Sequence, residues 1–309
     1  MRIVFMGTPD FAEKPLRAIV ENGYEVVGVF CQPDRPVGRK QKLTACKAKV
    51  CAQELGIPVF QFEKISKQEG LDTLRSLKPD LCVTAAFGQI LSRKNLEVPP
   101  LGTVNIHASI LPKYRGAAPI QWAIINGEKQ TGVTTMYTSR GVDEGDIIMC
   151  DTIDILPDET ADELFDRLSE LGAKTIIKTL KAIEDGSVTR TPQDHEKATH
   201  CSMIEKQDAK IDFSKTAQQV HDLVRGMNSW PIAFCELEGQ VTKIYKTVIR
   251  TELSGKCGEV LFADPKNGLV IACGQGAVEA KIIQVPGGKA INASDYLRGH
   301  SITAGSFAK

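Results

Sequence analysis

Residues 2–31 read RIVFMGTPDFAEKPLRAIVENGYEVVGVFC. An apolar run at 2–6 is interrupted by Gly7-Thr8-Pro9-Asp10, a helical pattern of apolar residues follows, and a second apolar run covers 24–31. A strand, a glycine-containing turn, a helix and a strand within about 30 residues form a βαβ unit. The stretch therefore predicts an α/β fold that begins with a doubly wound, Rossmann-like sheet.

The alternation of strand and helix patterns continues as far as residue 185. Further strands are predicted at 57–60, 81–86, 102–107, 132–137 and 147–153, and helices at 46–55, 65–77, 121–126 and 160–185. The long helix has a marked start, because Thr160 and Glu163 have the spacing of a capping box. We predict that residues 1–186 form the first domain.

The pattern changes after residue 186. Residues 187–206 are polar, contain Pro192 and show no clear period, so we expect a linker there. A helix is predicted at 214–227, and short apolar segments separated by turns follow it. Segments spaced in this way are typical of a small antiparallel β-barrel. We assign this second domain to residues 207–309.

The composition is that of an ordinary globular protein. Of 309 residues, 42% are hydrophobic and 25% are charged, and the net charge is zero, so any nucleic-acid surface must be local. The nine cysteines form no CxxC pair, which favours reduced thiols over a disulfide framework. Neither a signal peptide nor a membrane span is evident, so we expect a cytoplasmic protein with no membrane contact.

Two polar residues close the strand predicted at 102–107. Asn105 and His107 are two positions apart, so their side chains leave the same face, and ligands of open α/β sheets bind beyond the carboxyl ends of the strands. From these two residues alone, two interpretations are equally plausible. The side chains form part of a catalytic site, or the histidine only caps the strand end by bonding its neighbours. A second polar segment, the glycine-flanked acidic turn at 141–146, would by itself indicate a surface turn.

Three motifs taken together are far more specific. They are N-I-H-x-S-x-L-P at 105–112, R-G-A-A-P-I at 115–120 and V-D-x-G at 142–145. The combination resembles the folate-dependent formyltransferase superfamily. Within it, the chain resembles the methionyl-tRNA formyltransferases in four more motifs: MGTPDFA at 6–12, QPDRPVGR at 32–39, AKIDF at 209–213 and RGMNSWP at 225–231. The resemblance covers nearly the whole chain, and it implies that the C-terminal barrel at 207–309 is OB-like and binds tRNA.

The resemblance implies transfer of a formyl group from 10-formyltetrahydrofolate to the α-amine of methionyl initiator tRNA, and it places the catalytic roles on Asn105, His107 and Asp143. When the amine attacks the formyl carbon, Asn105 and His107 would donate N–H groups to the developing oxyanion. Asp143 would orient the imidazole, favour its protonated form and accept the amine proton through water. This chemistry needs no metal and no covalent intermediate.

The resemblance also implies where the substrates bind. The pterin of the folate is expected near two turns and the segment between them, in contact with Phe87, Gly88, Ser109, Ile110, Leu111, Pro112 and Val142. Ser109 either bonds the folate or caps its own turn, and the second role is slightly favoured.

Residues 34–49 carry six basic side chains and one acid and directly follow the second predicted strand. Such a loop is often only a solvated surface, but its place at the strand ends suits phosphate binding. The resemblance implies that it reads the first base pair of the initiator tRNA, and the expected tRNA contacts are Arg35, Arg39, Lys40 and Lys42. The exit of the loop departs from the family pattern, because TACKAK at 44–49 replaces the more usual Ser-Pro-Val-Lys.

Four other functions fit less well. A nicotinamide dehydrogenase would need a G-x-G-x-x-G turn, which Gly7-Thr8-Pro9 does not provide. A zinc site would need three or four suitable ligands, and no cluster supplies them. A catalytically silent RNA-binding module would leave the Asn, His and Asp residues unexplained. Formyl transfer to a small amine, such as glycinamide ribonucleotide or an amino sugar nucleotide, is the strongest alternative. No protein partner is implied.

Overall fold

The computed structural model describes residues 1–37 and 41–309. Within this part, the strands are β1 (Arg2–Gly7), β2 (Glu25–Cys31), β3 (Arg35–Val37), β4 (Lys42–Thr44), β5 (Val59–Gln61), β6 (Leu81–Ala85), β7 (Thr103–His107), β8 (Arg115–Gly116), β9 (Gln130–Tyr137), β10 (Ile147–Asp154), β11 (His200–Cys201), β12 (Phe234–Leu237), β13 (Gln240–Arg250), β14 (Val260–Asp264), β15 (Gly268–Ala272), β16 (Ala277–Gln284) and β17 (Ile291–Asn292). The α-helices of the same residues are α1 (Glu13–Glu21), α2 (Lys47–Glu54), α3 (Gln68–Ser76), α4 (Arg93–Leu96), α5 (Pro119–Ile125), α6 (Ala161–Glu184), α7 (Ala217–Gly226) and α8 (Ala293–Tyr296).

The chain divides into two compact units. The first comprises Met1–Gly116, Gln130–Asp154 and Phe165–Cys201, and the second comprises Ala117–Lys129, Ile155–Leu164 and Ser202–Lys309. Both units are assembled from separate stretches of sequence.

The first unit is built on a mixed sheet with the strand order β10-β9-β7-β6-β1-β2-β5. Strands β7, β6, β1, β2 and β5 are parallel to one another. At the other end of the sheet, β9 runs antiparallel to β7, and β10 runs antiparallel to β9. Every residue of β6 is buried, as are five of the six residues of β1, which is typical of strands covered on both faces. The predicted α/β fold is confirmed, and the carboxyl ends of β1, β2, β6 and β7 share one edge.

Two short strand pairs were not predicted. β3 and β4 form an antiparallel hairpin within the basic segment, and β8 pairs in parallel with β11 across a long stretch of chain. Neither pair has an alternating apolar pattern, because both consist largely of polar or small residues that pair through the backbone.

The second unit contains an antiparallel sheet in the order β12-β13-β16-β15-β14, with β17 paired to β16. Helix α7 contributes Val220, Val224 and Met227, the last directly after its end, to the apolar core under this sheet. Its start has a capping box, since Thr216 accepts from the Gln219 backbone and Gln219 from the Thr216 backbone. The predicted C-terminal antiparallel barrel-type domain is confirmed.

Residues 306–309 join the two ends of this strand order. Lys309 and Glu236 exchange backbone hydrogen bonds of 2.9 and 2.7 Å, which attaches the segment to β12. On the other side, Val260 of β14 donates to the Ser306 carbonyl and the Ala308 N–H donates to the Gly258 carbonyl, both at 2.8 Å. The segment thereby completes a barrel from a sheet whose edges do not pair with each other directly.

The compact units follow different boundaries from those expected from the sequence. Helix α5, expected in the first domain, groups with the second unit, where it packs on α7 and where the Trp122 indole donates to the Ser202 carbonyl. Residues 155–164 also group there, because the Arg225 guanidinium donates to the carbonyls of Leu156 and Glu159. Residues 187–201, expected to be linker, lie within the first unit. These contacts join residues distant in sequence, which local composition does not reveal.

None of the helices formed by residues 1–37 and 41–309 has both the length and the apolar character needed to cross a membrane.

Candidate active site

The site begins with a pair of polar side chains on neighbouring strands. Thr84 of β6 and Asn105 of β7 are register partners, and the Thr84 hydroxyl donates to Asn105 Oδ1 at 2.8 Å. This bond fixes which end of the amide is the acceptor, so the Nδ2 group faces Asp143 and donates to its Oδ1 at 3.3 Å. The amide predicted to be catalytic is therefore held in one orientation.

His107 ends the same strand, with only 7% of its side chain exposed. Its Nε2 lies 2.8 Å from the Tyr114 carbonyl, and its Nδ1 lies 3.5 Å from Asp143 Oδ2. Both ring nitrogens thus face oxygen acceptors. A protonated imidazolium has an N–H for each of them, whereas a neutral ring has only one.

Asp143 reaches the strand ends from the turn after β9. Its backbone is left-handed, with φ of 54°, and its Oδ2 accepts the Gly116 N–H at 2.9 Å. The turn folds tightly back on its strand, since the Tyr137 N–H donates to the Asp146 carbonyl at 2.9 Å. Gly145 is required by this geometry, because a β-carbon there would overlap the Tyr137 carbonyl. The structure thus brings Asn105, His107 and Asp143 together, as the sequence predicted.

A buried network behind the site was missed by the sequence reasoning. Gln193 Nε2 donates to the carbonyls of Asp143 and Gly145, at 2.9 and 2.8 Å. Its Oε1 accepts two hydrogen bonds, of 3.0 and 2.8 Å, from the Arg115 guanidinium, which is only 2% exposed. Arg115 belongs to a recognised motif, but Gln193 lies in the polar stretch that was expected to be linker. Thr84 could have been noticed as the polar residue in an apolar strand, whereas no local signal marks Gln193.

The segment after β7, expected to contact folate, forms a compact turn. The Ser109 hydroxyl donates to the Lys113 carbonyl at 2.7 Å, which fits the favoured capping role. Thr134 of β9 fixes the turn further, since its hydroxyl donates to the Ser109 carbonyl and accepts the Leu111 N–H. Leu111 is buried, while Ile110 and Pro112 are partly exposed. Their contacts with folate stay predictions.

The two other expected folate-binding turns differ in exposure. Phe87 is 6% exposed and packs with Val4, Met6 and Phe30 in a core cluster, so its ring faces the protein interior. Gly88 beside it is exposed, with φ of 76°. Val142 is 58% exposed next to Asp143. An apolar side chain displayed beside a polar cluster suits an aromatic ligand, and the contact of Val142 with folate stays a prediction.

The basic segment is described only in part. Arg35 lies on β3 and pairs with Glu63 at 2.5 Å, while Lys42 lies exposed on β4. Arg39 and Lys40, also expected to contact tRNA, lie outside the described residues. The hairpin follows β2, so it begins at the same sheet edge as Asn105 and His107 on β7, about 14 Å away if three strand spacings separate them.

Within the described part of the chain, no group of three or more His, Cys, Asp or Glu side chains is arranged to hold a metal ion. The expectation that catalysis uses no metal stays a prediction.

An α/β sheet with an Asn, a His and an Asp at its carboxyl edge is compatible with several kinds of transferase. Comparison with known proteins shows which of these families the chain belongs to. Residues 1–180 match the formyl transferase family model, and residues 203–301 match the model of the formyl transferase C-terminal domain. The chain belongs to the formyl transferase family.

Its curated relatives are close along their full length. It is 47% identical over 307 residues to the methionyl-tRNA formyltransferase of Acetivibrio thermocellus, covering 99% of this chain and 98% of the relative. It is 46% identical over 305 residues to the methionyl-tRNA formyltransferase of Geobacter metallireducens, covering 99% and 97%.

Solved structures show the same fold at lower identity. An N-formyltransferase from Helicobacter canadensis, in complex with folinic acid and dTDP-3-aminofucose, aligns with a TM-score of 0.69 and 21% identity, over 94% of this chain and 99% of its own. HypX from Aquifex aeolicus, in complex with tetrahydrofolic acid, aligns with a TM-score of 0.66 and 19% identity. That alignment covers 96% of this chain, which spans about half of HypX, 47% of its length.

Proposed function

We propose that this protein transfers a formyl group from 10-formyltetrahydrofolate to the α-amine of methionyl initiator tRNA, giving N-formylmethionyl-tRNA. One observation carries the proposal: relatives that are 43–47% identical over nearly the entire chain are methionyl-tRNA formyltransferases. The contact between Asn105, His107 and Asp143 supports it independently, because it supplies the groups that formyl transfer to an amine requires.

The chemical step is the attack of the amine on the formyl carbon. As that carbon becomes tetrahedral, negative charge develops on its oxygen and must be stabilised. Asn105 uses one of its two amide hydrogens on Asp143, and we assign the second to this oxygen. His107, held between Tyr114 and Asp143, places its imidazole ring beside the same charge. Fixed donors of this kind need no reorganisation during the reaction.

Asp143 has a positioning role and an acid–base role in this proposal. Its carboxylate receives N–H donors from Asn105 and Gly116 and faces His107, so it holds both catalytic side chains in place. The attacking amine must also lose a proton, which we route through a water molecule to Asp143. Collapse of the intermediate then breaks the bond to the folate nitrogen, which takes up through water the proton that Asp143 accepted.

We place the folate against the turns at Gly88, Ser109–Pro112 and Val142, and the acceptor stem of the tRNA against the basic segment at residues 34–49. The location of that segment at the edge that carries Asn105 and His107 supports this division. Its basic side chains can neutralise backbone phosphates, which makes binding dependent on salt.

The deciding experiment is to incubate the protein with 10-formyltetrahydrofolate and methionyl-tRNA and to measure N-formylmethionine after hydrolysis of the ester. Deacylated tRNA and the His107→Ala variant serve as controls. We expect the wild-type rate to fall steeply with added salt, because tRNA binding releases counterions. If formyl transfer occurs instead to an amino sugar nucleotide or glycinamide ribonucleotide, with little salt dependence, the tRNA acceptor is wrong although the family assignment stands.

A further inference from the structure

Three half-buried glutamine side chains that the proposed reaction does not use lie at the carboxyl edge of the first sheet. Gln32 directly follows β2, Gln61 is the last residue of β5, and Gln89 lies in the segment after β6. The Gln89 amide is fixed by backbone on both sides, since it donates to the Phe62 carbonyl and accepts the Ile65 N–H, both at 2.7 Å. Polar side chains held at this edge lie where open α/β sheets bind their ligands.

The side chain of Gln32 bonds to the Phe87-Gly88 turn after β6. Its Nε2 donates to the carbonyls of Phe87 and Gly88, at 3.3 and 2.9 Å. Its Oε1 accepts from the Gln89 amide at 3.4 Å, so the orientation of the Gln32 amide is defined at both ends. The Thr8 hydroxyl adds a third bond to this turn, since it donates to the Phe87 carbonyl at 3.0 Å. The backbone of the turn is thus held in place from β1 and β2.

The side chain of Gln61 bonds to the other side of Gln32, at the entry of the hairpin β3–β4. Its Nε2 donates to the Gln32 carbonyl and to Asp34 Oδ1, both at 2.8 Å. Lys49 of α2 donates to Gln61 Oε1 at 3.0 Å and to Asp34 Oδ2 at 2.6 Å. Because β3 begins at Arg35, directly after Asp34, these bonds fix the point at which the hairpin leaves the sheet.

We propose that Gln32 and Gln61 are positioning residues for different substrates: Gln32 for the turn that receives folate, and Gln61 for the hairpin that receives tRNA. The inference rests on the proposed function, which assigns folate and tRNA to these two segments. A binding segment that is held in place beforehand loses less conformational freedom when its ligand binds, and this increases affinity. Both glutamines therefore act on substrate binding.

The two roles can be separated because the contacts are divided between side chain and backbone. The Gln32 side chain bonds to the turn, whereas Gln61 bonds to the backbone carbonyl of Gln32. A change of the Gln32 side chain leaves that carbonyl in place, so the bonds at the hairpin entry remain. A change of the Gln61 side chain likewise leaves the bonds from Gln32 to the turn.

The first test measures steady-state kinetics of full-length variants in which one glutamine is replaced by methionine, a flexible unbranched side chain without N–H donors. Gln32→Met should raise the KM for 10-formyltetrahydrofolate by about 3- to 10-fold, because the turn loses two hydrogen bonds. Gln61→Met should raise the KM for methionyl-tRNA by about the same factor, because the hairpin loses the bond to Asp34 at its entry. In each variant the KM for the other substrate should stay at the wild-type value, and kcat should change less than the affected KM.

Gln53→Met, the same substitution at an exposed glutamine of α2, is the matched control and should leave both KM values unchanged. If the wild-type protein formylates methionyl-tRNA but the variants keep both KM values, or raise both equally, the inference is wrong and the proposed function stands. If the wild-type protein does not formylate methionyl-tRNA, the proposed function fails, and with it the assignment of the hairpin to tRNA.

The second test measures hydrogen exchange of the same variants by mass spectrometry in the absence of substrates, so it does not depend on the proposed function. Gln32→Met should accelerate exchange in peptides that cover the Phe87-Gly88 turn, and Gln61→Met in peptides that cover the hairpin, with the other segment unchanged in each case. Acceleration throughout the first unit, or in neither segment, contradicts the proposal. A variant that is unfolded at the assay temperature also contradicts it, because its glutamine is then required by the fold itself.

Discussion

At the scale of the residue, the candidate site is a set of donors that converge on one carboxylate. Asn105 and the Gly116 backbone each donate to a different oxygen of Asp143, and His107 approaches the second oxygen from another side. Thr84 then fixes the amide of Asn105 from behind. Each side chain of the candidate site has a partner that restricts its rotation, so the site is organised before any substrate arrives.

The first prediction concerns the two oxyanion groups. Asn105→Ala and His107→Ala should each lower kcat for formyl transfer by at least about 10²-fold, because each removes a group that acts on the developing charge. Turnover should be measured together with thermal unfolding, which should show that both variants are folded. A variant with nearly wild-type turnover would remove that residue from the mechanism.

The second prediction concerns Gln193, which we regard as a positioning residue. Gln193→Leu should destabilise the protein by roughly 1–3 kcal/mol, because it leaves buried carbonyls and the Arg115 guanidinium without their partner. Gln193→Glu keeps an acceptor for Arg115 but loses the donors to the Asp143 and Gly145 carbonyls. It should therefore retain more stability than the leucine variant while still losing kcat.

Calorimetry and steady-state kinetics well below the unfolding temperature separate these two effects. If Gln193→Glu has the wild-type kcat, the turn that carries Asp143 does not depend on Gln193, and the residue is only structural.

At the scale of the element, the sequence correctly predicted those strands and helices that local apolar patterns determine. The strands of the first unit and the long helix α6 follow from apolar periodicity, and the capping box of α6 is present, with the Glu163 carboxylate accepting the Thr160 N–H at 2.8 Å. The hairpin β3–β4 and the pairing of β8 with β11 were missed. Their strands are held by backbone bonds and by distant partners, such as the Arg115 N–H that donates to the Thr199 carbonyl, and short-range patterns do not encode these.

The difference between local patterns and contacts of distant residues also applies to the candidate site. Asn105, His107 and Asp143 could be identified because each lies in a recognisable motif at a strand end or turn. The supporting residues could not, because Gln193 reaches Asp143 across 50 positions of sequence. The register of β6 against β7, which places Thr84 beside Asn105, also depends on the assembled sheet.

The third prediction concerns the basic hairpin segment. Lys42→Ala should lower kcat/KM for methionyl-tRNA and reduce its salt dependence, because the proposed function places this side chain against the tRNA phosphates. The sequence alone predicts the same result for Arg39→Ala. The KM for 10-formyltetrahydrofolate should stay unchanged. Lys181→Ala, which removes an exposed lysine from α6, is the matched control. An equal loss of folate binding would show that the segment supports the fold of the site.

At the scale of the whole molecule, the units are not consecutive pieces of sequence. Residues 117–129 and 155–164 group with the C-terminal residues through α7, although the motifs on either side of them belong to the first unit. A buried ion pair between Arg225 and Asp222, at 2.7 Å, lies within α7, and Arg225 also donates to carbonyls of residues 156 and 159. Sequence periodicity identified these helices but gave no information on which unit they join.

The fourth prediction concerns the segment that completes the barrel. Deleting residues 306–309 removes its backbone bonds to Glu236, Gly258 and Val260 and should cost roughly 2–6 kcal/mol at about 0.5–1.5 kcal/mol for each bond. Lys309→Ala is the matched control, because it keeps every one of these backbone bonds. Both should be compared by calorimetry, and a deletion variant as stable as the control would show that the segment contributes nothing to the barrel.

The segment at residues 306–309 also determines the order in which the two units of a growing chain can fold. Every part of the first unit exists once the ribosome has added Cys201, but the barrel lacks its last strand-like piece until residues 306–309 have left the exit tunnel. Helix α5 is made early, and its partner α7 follows only about 100 residues later, which takes several seconds or more at the usual speed of translation. During that interval the apolar side chains of Ile124 and Ile125, which approach Gly226 of α7 in the folded protein, have no cover from that helix, so newborn chains should be recognised by chaperones at α5.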